Sequence, residues 1–306
     1  MKRWCAIEAN RVFLLSVILP EVVLGLAVAA GLCDRMALRV LVQVSLLFPA
    51  AVYLFTHRGT GNKMSGLRLP GWKEWLLLLP LAVCVEKIIT FLGVVSGWFV
   101  KDTVSESMAT LVEGYPLPLV FFVIAVLPAI CEETVYRGVL YRGYRNCGVG
   151  TAVVMTAVLF GLMHMNPNQF FYAVVFGLLL ATVNEITDSI VPSVLVHLYV
   201  NGRSVLLLYE AMKQNEGVGK SLLNSETGPL PEQIGRLFPG FLVAVAGTVL
   251  ILLLLLRCRG RKVTFKKLFR GECVPNTPGE KAGIRALVSP TLGIGILYCI
   301  LSMVWR

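Results

Sequence analysis

Leu117-Pro-Leu-Val-Phe-Phe-Val-Ile-Ala-Val-Leu-Pro-Ala-Ile-Cys-Glu-Glu-Thr-Val-Tyr-Arg-Gly-Val-Leu140 is an apolar run whose only charges are Glu132, Glu133 and Arg137. As a helix it would extend ~36 Å at 1.5 Å per residue, enough to cross a hydrocarbon layer of ~30 Å. Charged side chains are costly in that layer and normally face the protein interior or a cavity where they do work. The run therefore predicts a membrane helix that carries part of a site.

The rest of the chain agrees with this setting. Of 306 residues, 56% are hydrophobic and 15% charged, and the mean hydropathy is +0.75, far too apolar for a soluble domain of this size. Further apolar runs lie near 12–33, 37–55, 75–100, 151–165, 169–186, 189–209, 237–256 and 287–305. With 117–140 they predict an all-α polytopic bundle of eight or nine transmembrane helices, a single membrane domain over 1–306. The run from Val12 to Cys33 is longer than a signal-peptide core and is read as a helix that stays in the membrane.

The net charge of +10 does not indicate nucleic acid, because the basic residues sit in loops beside apolar helices, where they set topology. The loop from His57 to Lys73 carries Arg58, Lys63, Arg68 and Lys73, whereas 101–116 is mildly acidic through Asp102, Glu106 and Glu113. The first is expected in the cytoplasm and the second outside, which gives a cytoplasmic N-terminus over nine crossings; Arg35 and Arg39 depart mildly from the rule. The basic cytoplasmic loop 257–285 opens with Arg257 to Arg270, where Phe265 and Phe269 interleave with basic residues. That pattern suits either anionic lipid headgroups or a simple topological anchor. The eight cysteines contain no C-x-x-C pair and read as small buried hydrophobes.

Helix geometry sorts the charged residues. Glu133 and Arg137 are four apart on one face, where the pair offsets the cost of burying both. Glu132 points elsewhere, with Tyr136 four residues on as a candidate to orient it. Pro128 cannot donate to the carbonyl of Ile124, so a local kink or opening beside the glutamates is expected. Two of the three histidines also lie in apolar runs: Phe160-Gly-Leu-Met-His164 closes a short one, and His197-Leu-Tyr-Val-Asn201 sets His197 and Asn201 on one face of another. Each element alone is explained by packing. Three in three helices are not, since Leu or Val would avoid every desolvation cost involved.

Depth makes the same point. If the fourth helix continues to about Tyr144, Glu132 lies ~18 Å from its cytoplasmic end; His164 lies ~21 Å, His197 ~12 Å and Asn201 ~18 Å from theirs. The four groups can share a layer near mid-membrane, provided that 138–144 is helical.

The ordered set Glu132-Glu-Thr-Val-Tyr-Arg-Gly-Val-Leu140, Phe160-x-x-x-His164 and His197-x-x-x-Asn201 resembles the CPBP family, the CAAX proteases and bacteriocin-processing enzymes also called Abi. The likeness spans about 117–203, with Tyr136 where the family often has Phe. It implies an intramembrane glutamic endopeptidase in which Glu132 and His164 activate water, His197 and Asn201 hold the oxyanion, and Glu133 and Arg137 support the site. Elementary chemistry agrees, since a carboxylate and imidazole can take a proton from water while Asn N–H and imidazole N–H donate to an oxyanion.

Competing chemistries are weaker in the residues. Ser189 and Ser193 lack a Gly-x-Ser-x-Gly turn, and an apolar setting beside a carboxylate disfavours the Cys131 thiolate. No cofactor is expected, although Glu132, His164 and His197 are types that could bind zinc; His-Glu-x-x-His spacing is missing. A proton-coupled transporter would also use buried carboxylates and histidines, but no inverted repeat is evident, and Glu86-Lys87 reads as a neutralised or cavity-facing pair. The family likeness extends as well to non-catalytic immunity or scaffold proteins. The expected partner is a membrane-associated peptide or protein substrate, and the expected location is a bacterial cytoplasmic membrane.

Overall fold

The computed structural model describes residues 6–57, 67–100, 108, 110–145, 147–214, 230–259 and 287–305. Helices account for the architecture, with no strand among the described residues. In chain order they are α1 (Ala6–Ala29), α2 (Arg35–Thr56), α3 (Trp72–Phe99), α4 (Leu117–Arg145), α5 (Val149–Met163), α6 (Pro167–Thr187), α7 (Val191–Gln214), α8 (Leu230–Cys258) and α9 (Pro290–Trp305). Seven are long and apolar enough to cross a membrane; α5 and α9, at 15 and 16 residues, are shorter. This is an all-α polytopic bundle; among the described residues seven helices are long enough to span and two apolar ones are shorter, where the sequence predicts eight or nine spans.

Local signals mark the helix ends. Asp34 caps α2, its Oδ1 accepting from the Ala37 amide at 2.7 Å while Oδ2 takes the Tyr115 hydroxyl at 2.7 Å. The Ala37 amide first, and the Tyr115 hydroxyl with it, hold this carboxyl below the usual carboxylate range. Asn166 caps α6 in the same way through the Gln169 amide at 3.0 Å, with Pro167 as the first helical residue. Trp72 and Trp75 at the start of α3, and Trp98 and Phe99 at its end, are exposed. Trp72 and Trp98 stand ~39 Å apart along the axis, the spacing of aromatic belts at the two interfaces of a bilayer.

The motif helix α4 packs on α1, α2, α5 and α7. Its apolar window is 61% buried inside the protein, against 28% for α1 and α2. Charges that would be intolerable on a lipid face are thus carried by a helix as buried as α6, whose window is also 61% buried. Residues 138–144 are helical, as a shared depth for the site requires. Around Pro128 the backbone adopts wide π-helical turns on both sides of the glutamates, over Phe122–Val126 and Thr134–Leu140. Such turns widen the helix locally and recur at functional sites.

Polar ties fix the ends of α4 and the flanking helices. At its C-terminal end, Arg145 donates to both oxygens of Glu185 at 2.9 Å and Tyr141 donates to the same carboxylate at 2.8 Å, fastening α4 to α6. Tyr144 donates to Asn10 Oδ1 at 2.7 Å, and Asn10 Nδ2 donates to the Leu287 carbonyl and Ser289 Oγ, joining α1, α4 and the start of α9. Arg259 pairs with Glu74 where α8 ends beside the start of α3. The basic segment 257–270, expected at lipid headgroups, is described only as far as Arg259; its remainder and the loop to 285 lie outside the described residues. Arg58, Lys63, Asp102 and Glu106 do too.

Candidate active site

Glu132 and Glu133 are adjacent on α4 and meet the same histidine. His197 Nδ1 lies 2.8 Å from Glu133 Oε1, and His197 Nε2 faces Glu132 Oε2 at 3.8 Å. A carboxylate only accepts, so Nδ1 carries a proton toward Glu133. Nε2 is then an acceptor in the neutral ring and a donor only in the imidazolium. The 3.8 Å gap to Glu132 is too long for a direct hydrogen bond and suits one intervening oxygen atom.

Glu133 is wholly buried and is shared with Arg137. Arg137 Nη1 donates to Glu133 Oε1 at 2.9 Å, and Nη2 donates to the carbonyl of Gly177 on α6 at 3.2 Å. The guanidinium also lies over the Phe160 ring, 4.5 Å from its centroid. The Glu133–Arg137 pair therefore forms as the i, i+4 spacing predicts, and it orients His197 as well.

The Phe160 ring is the apolar hub of the cluster. It meets Tyr136, His164, Phe176 and His197 edge-on, with centroids 5.0–6.3 Å away. His164 caps the end of α5; its Nδ1 lies 2.7 Å from the Phe160 carbonyl, which fixes that nitrogen as the N–H donor and leaves Nε2 as an acceptor in the neutral ring. His164 and His197 share the Phe160 ring, with centroids 5.0 and 6.0 Å away, which sets His164 in the same cluster.

Asn201 lies one turn beyond His197 on α7. Its Nδ2 donates to the Ile124 carbonyl at 3.4 Å, the carbonyl that Pro128 cannot serve. That contact occupies one amide hydrogen and leaves the second available. The expected opening at Pro128 thus has a specific outcome, a backbone acceptor that steadies the asparagine.

One sequence expectation is corrected. Tyr136 does not orient Glu132; its hydroxyl is buried with no hydrogen-bond partner among the described residues. The Tyr136 ring packs edge-on against Phe160, with centroids 5.2 Å apart. The partner of Glu132 is instead Gln43 on α2, whose Nε2 donates to Glu132 Oε1 at 3.2 Å. Sequence reasoning missed Gln43, although a lone amide in the apolar run 40–52 satisfies the criterion that singled out the histidines.

The alternatives take definite places. Ser189 and Ser193 spend their hydroxyls on the carbonyls of Arg68 and Leu180, at 2.7 and 3.0 Å. Glu132, His164 and His197 do not make a metal-holding group, nor does any other set of three or more His, Cys, Asp or Glu among the described residues. Lys87 pairs with Glu86 at 3.3 Å. An apolar groove of about 330 Å³ between α4 and α7 is lined by Phe121, Leu195, Tyr199, Gly202, Arg203 and Leu206. Those α7 positions fall on the face opposite His197 and Asn201, so the groove is separate from the site.

No curated protein matches the chain, and no solved structure does. Residues 114–203 match the family described as Rce1-like, "Type II CAAX prenyl endopeptidase Rce1-like". Every motif residue of the cluster, from Glu132 to Asn201, falls inside that stretch, and over it the chain is similar to the Rce1-like type II CAAX prenyl endopeptidases.

Proposed function

We propose that the protein is an intramembrane endopeptidase of glutamic type that hydrolyses a peptide bond in a membrane-associated protein or peptide. The observation that carries this is the buried Glu132–His197 pair, 3.8 Å apart and backed by Glu133 and Arg137. The spacing suits a water or substrate oxygen held between a base and an N–H donor.

In the proposed reaction Glu132 takes a proton from water, helped by His164, and the hydroxide attacks the scissile carbonyl carbon. The resulting oxyanion receives N–H from His197 Nε2 as imidazolium and from the second amide hydrogen of Asn201. Collapse breaks the C–N bond, and the proton on Glu132 passes to the leaving amine. Glu133 is placed to hold the imidazole in the donating orientation, and Arg137 to neutralise Glu133. We place the N-terminus in the cytoplasm from the loop charges, and the membrane as a bacterial one. The segment 257–270 is proposed to touch anionic headgroups.

The test is cleavage of membrane-associated peptides by the purified, lipid-reconstituted protein, read by mass spectrometry, with prenylated and unprenylated C-terminal peptides as separate arms. Wild-type cleavage that disappears in Glu132→Gln is the expected result. Full turnover in Glu132→Gln would remove this carboxylate as base and favour a scaffold role for the glutamate. Metal analysis with chelation and readdition reads the zinc alternative in the same preparation, and cleavage that needs readded metal would replace the glutamic mechanism.

A further inference from the structure

Gln43 lies on α2, outside the stretch 114–203 that carries the family likeness, yet it touches the proposed base. It occupies the inward face of its helix together with the buried residues Leu46 and Ala50, while Val44 and Phe48 are exposed. A leucine at this inward position would pack without any polar demand. Gln43 instead buries an amide whose Oε1 has no hydrogen-bond partner among the described residues, a cost that packing does not explain.

The other half of that amide has a defined task. Nε2 donates to Glu132 Oε1 at 3.2 Å, so that Oε2 is the oxygen turned toward His197 Nε2. Without this contact the Glu132 side chain could rotate about its terminal bond and present either oxygen, or swing away from the histidine. The Tyr136 hydroxyl, expected from the sequence to orient this carboxylate, makes no hydrogen bond among the described residues.

We infer that Gln43 is a positioning residue for Glu132: it anchors one carboxylate oxygen so that the other is aimed at the space shared with His197. The site is then built from two sources, the family's motif helices and an amide from a helix outside them. This rests on the endopeptidase function proposed above. Gln43 acts through Glu132 and does not touch substrate, so its removal lowers kcat and leaves KM unchanged.

The experiment uses full-length protein in lipid, comparing wild type, Gln43→Met and Gln43→Leu. Methionine matches glutamine in length and flexibility but has no N–H donor. A cleaved membrane peptide found with the wild type gives kcat and KM, detergent melting gives folding, and infrared spectroscopy reads the Glu132 carboxylate band, assigned by its loss in Glu132→Gln. The expected result is a kcat reduced roughly ten- to a hundredfold with KM within about twofold, as for a misplaced catalytic group. The carboxylate band shifts in Gln43→Met, and melting is unchanged or raised. An active wild type with an unshifted band or an unchanged kcat in Gln43→Met overturns the inference and leaves the endopeptidase function standing. A wild type that cleaves nothing overturns both together, which separates the two failures.

Discussion

Glu132 and Glu133 differ by one residue in sequence and by their whole environment in the fold. Glu133 is completely buried between Arg137 and His197, so removing either member of the Glu133–Arg137 pair strands a charge. We expect Glu133→Ala and Arg137→Ala to lose about 3–5 kcal/mol of stability and to appear as poorly folded, low-melting protein. Glu132 has only the uncharged Gln43 as a direct hydrogen-bond partner among the described residues, and an amide in its place can take a hydrogen bond from the same N–H. Glu132→Gln should therefore melt like wild type while losing nearly all turnover. Detergent melting temperature beside turnover for the three variants checks the assignment; a stable, inactive Glu133→Ala beside an unfolded Glu132→Gln would make Glu133 the base.

At the scale of elements, the site depends on how closely α5 and α6 approach. A Cβ placed on Gly177 of α6 would lie 2.8 Å from the Ala157 Cα of α5, a contact with backbone that no side-chain rotation relieves. The Gly177 carbonyl also receives Arg137, so the same close approach positions the guanidinium behind Glu133. Small residues at such a crossing let membrane helices pack by direct backbone contact. Gly177→Leu should push α6 away and cost at least the ~1–3 kcal/mol of ordinary overpacking. The measurement is again detergent melting, with turnover falling in step; a Gly177→Leu protein of wild-type melting and activity would show that this crossing is slack.

For the whole molecule, the loop charges predict a cytoplasmic N-terminus. Cys33 after α1 and Cys258 at the end of α8 are both exposed, and the proposed topology puts them on opposite sides. In variants that retain one or the other as the single cysteine, a membrane-impermeant thiol reagent should label Cys33 in intact cells. Cys258 should react only after permeabilisation. The reverse pattern would invert the topology and place the α4–α5 connection outside.

The sequence by itself determined the apolar helices, their order, and most of the candidate site. Bilayer thickness converts a run of about twenty apolar residues into a helix, and every ionisable group inside such a run demands a physical reason. Glu132, Glu133, Arg137, His164, His197 and Asn201 were legible for that reason. The i, i+4 pairing of Glu133 with Arg137 was legible because it is local to one helix. Only the tertiary structure decided which histidine meets which glutamate, that Gln43 takes the place expected of Tyr136, and that Asn201 rests on the Ile124 carbonyl. Those contacts join residues 64 to 89 positions apart, and 77 in the last case, through helix packing. The π-helical turns around the glutamates add displacements that a 3.6-residue period does not encode.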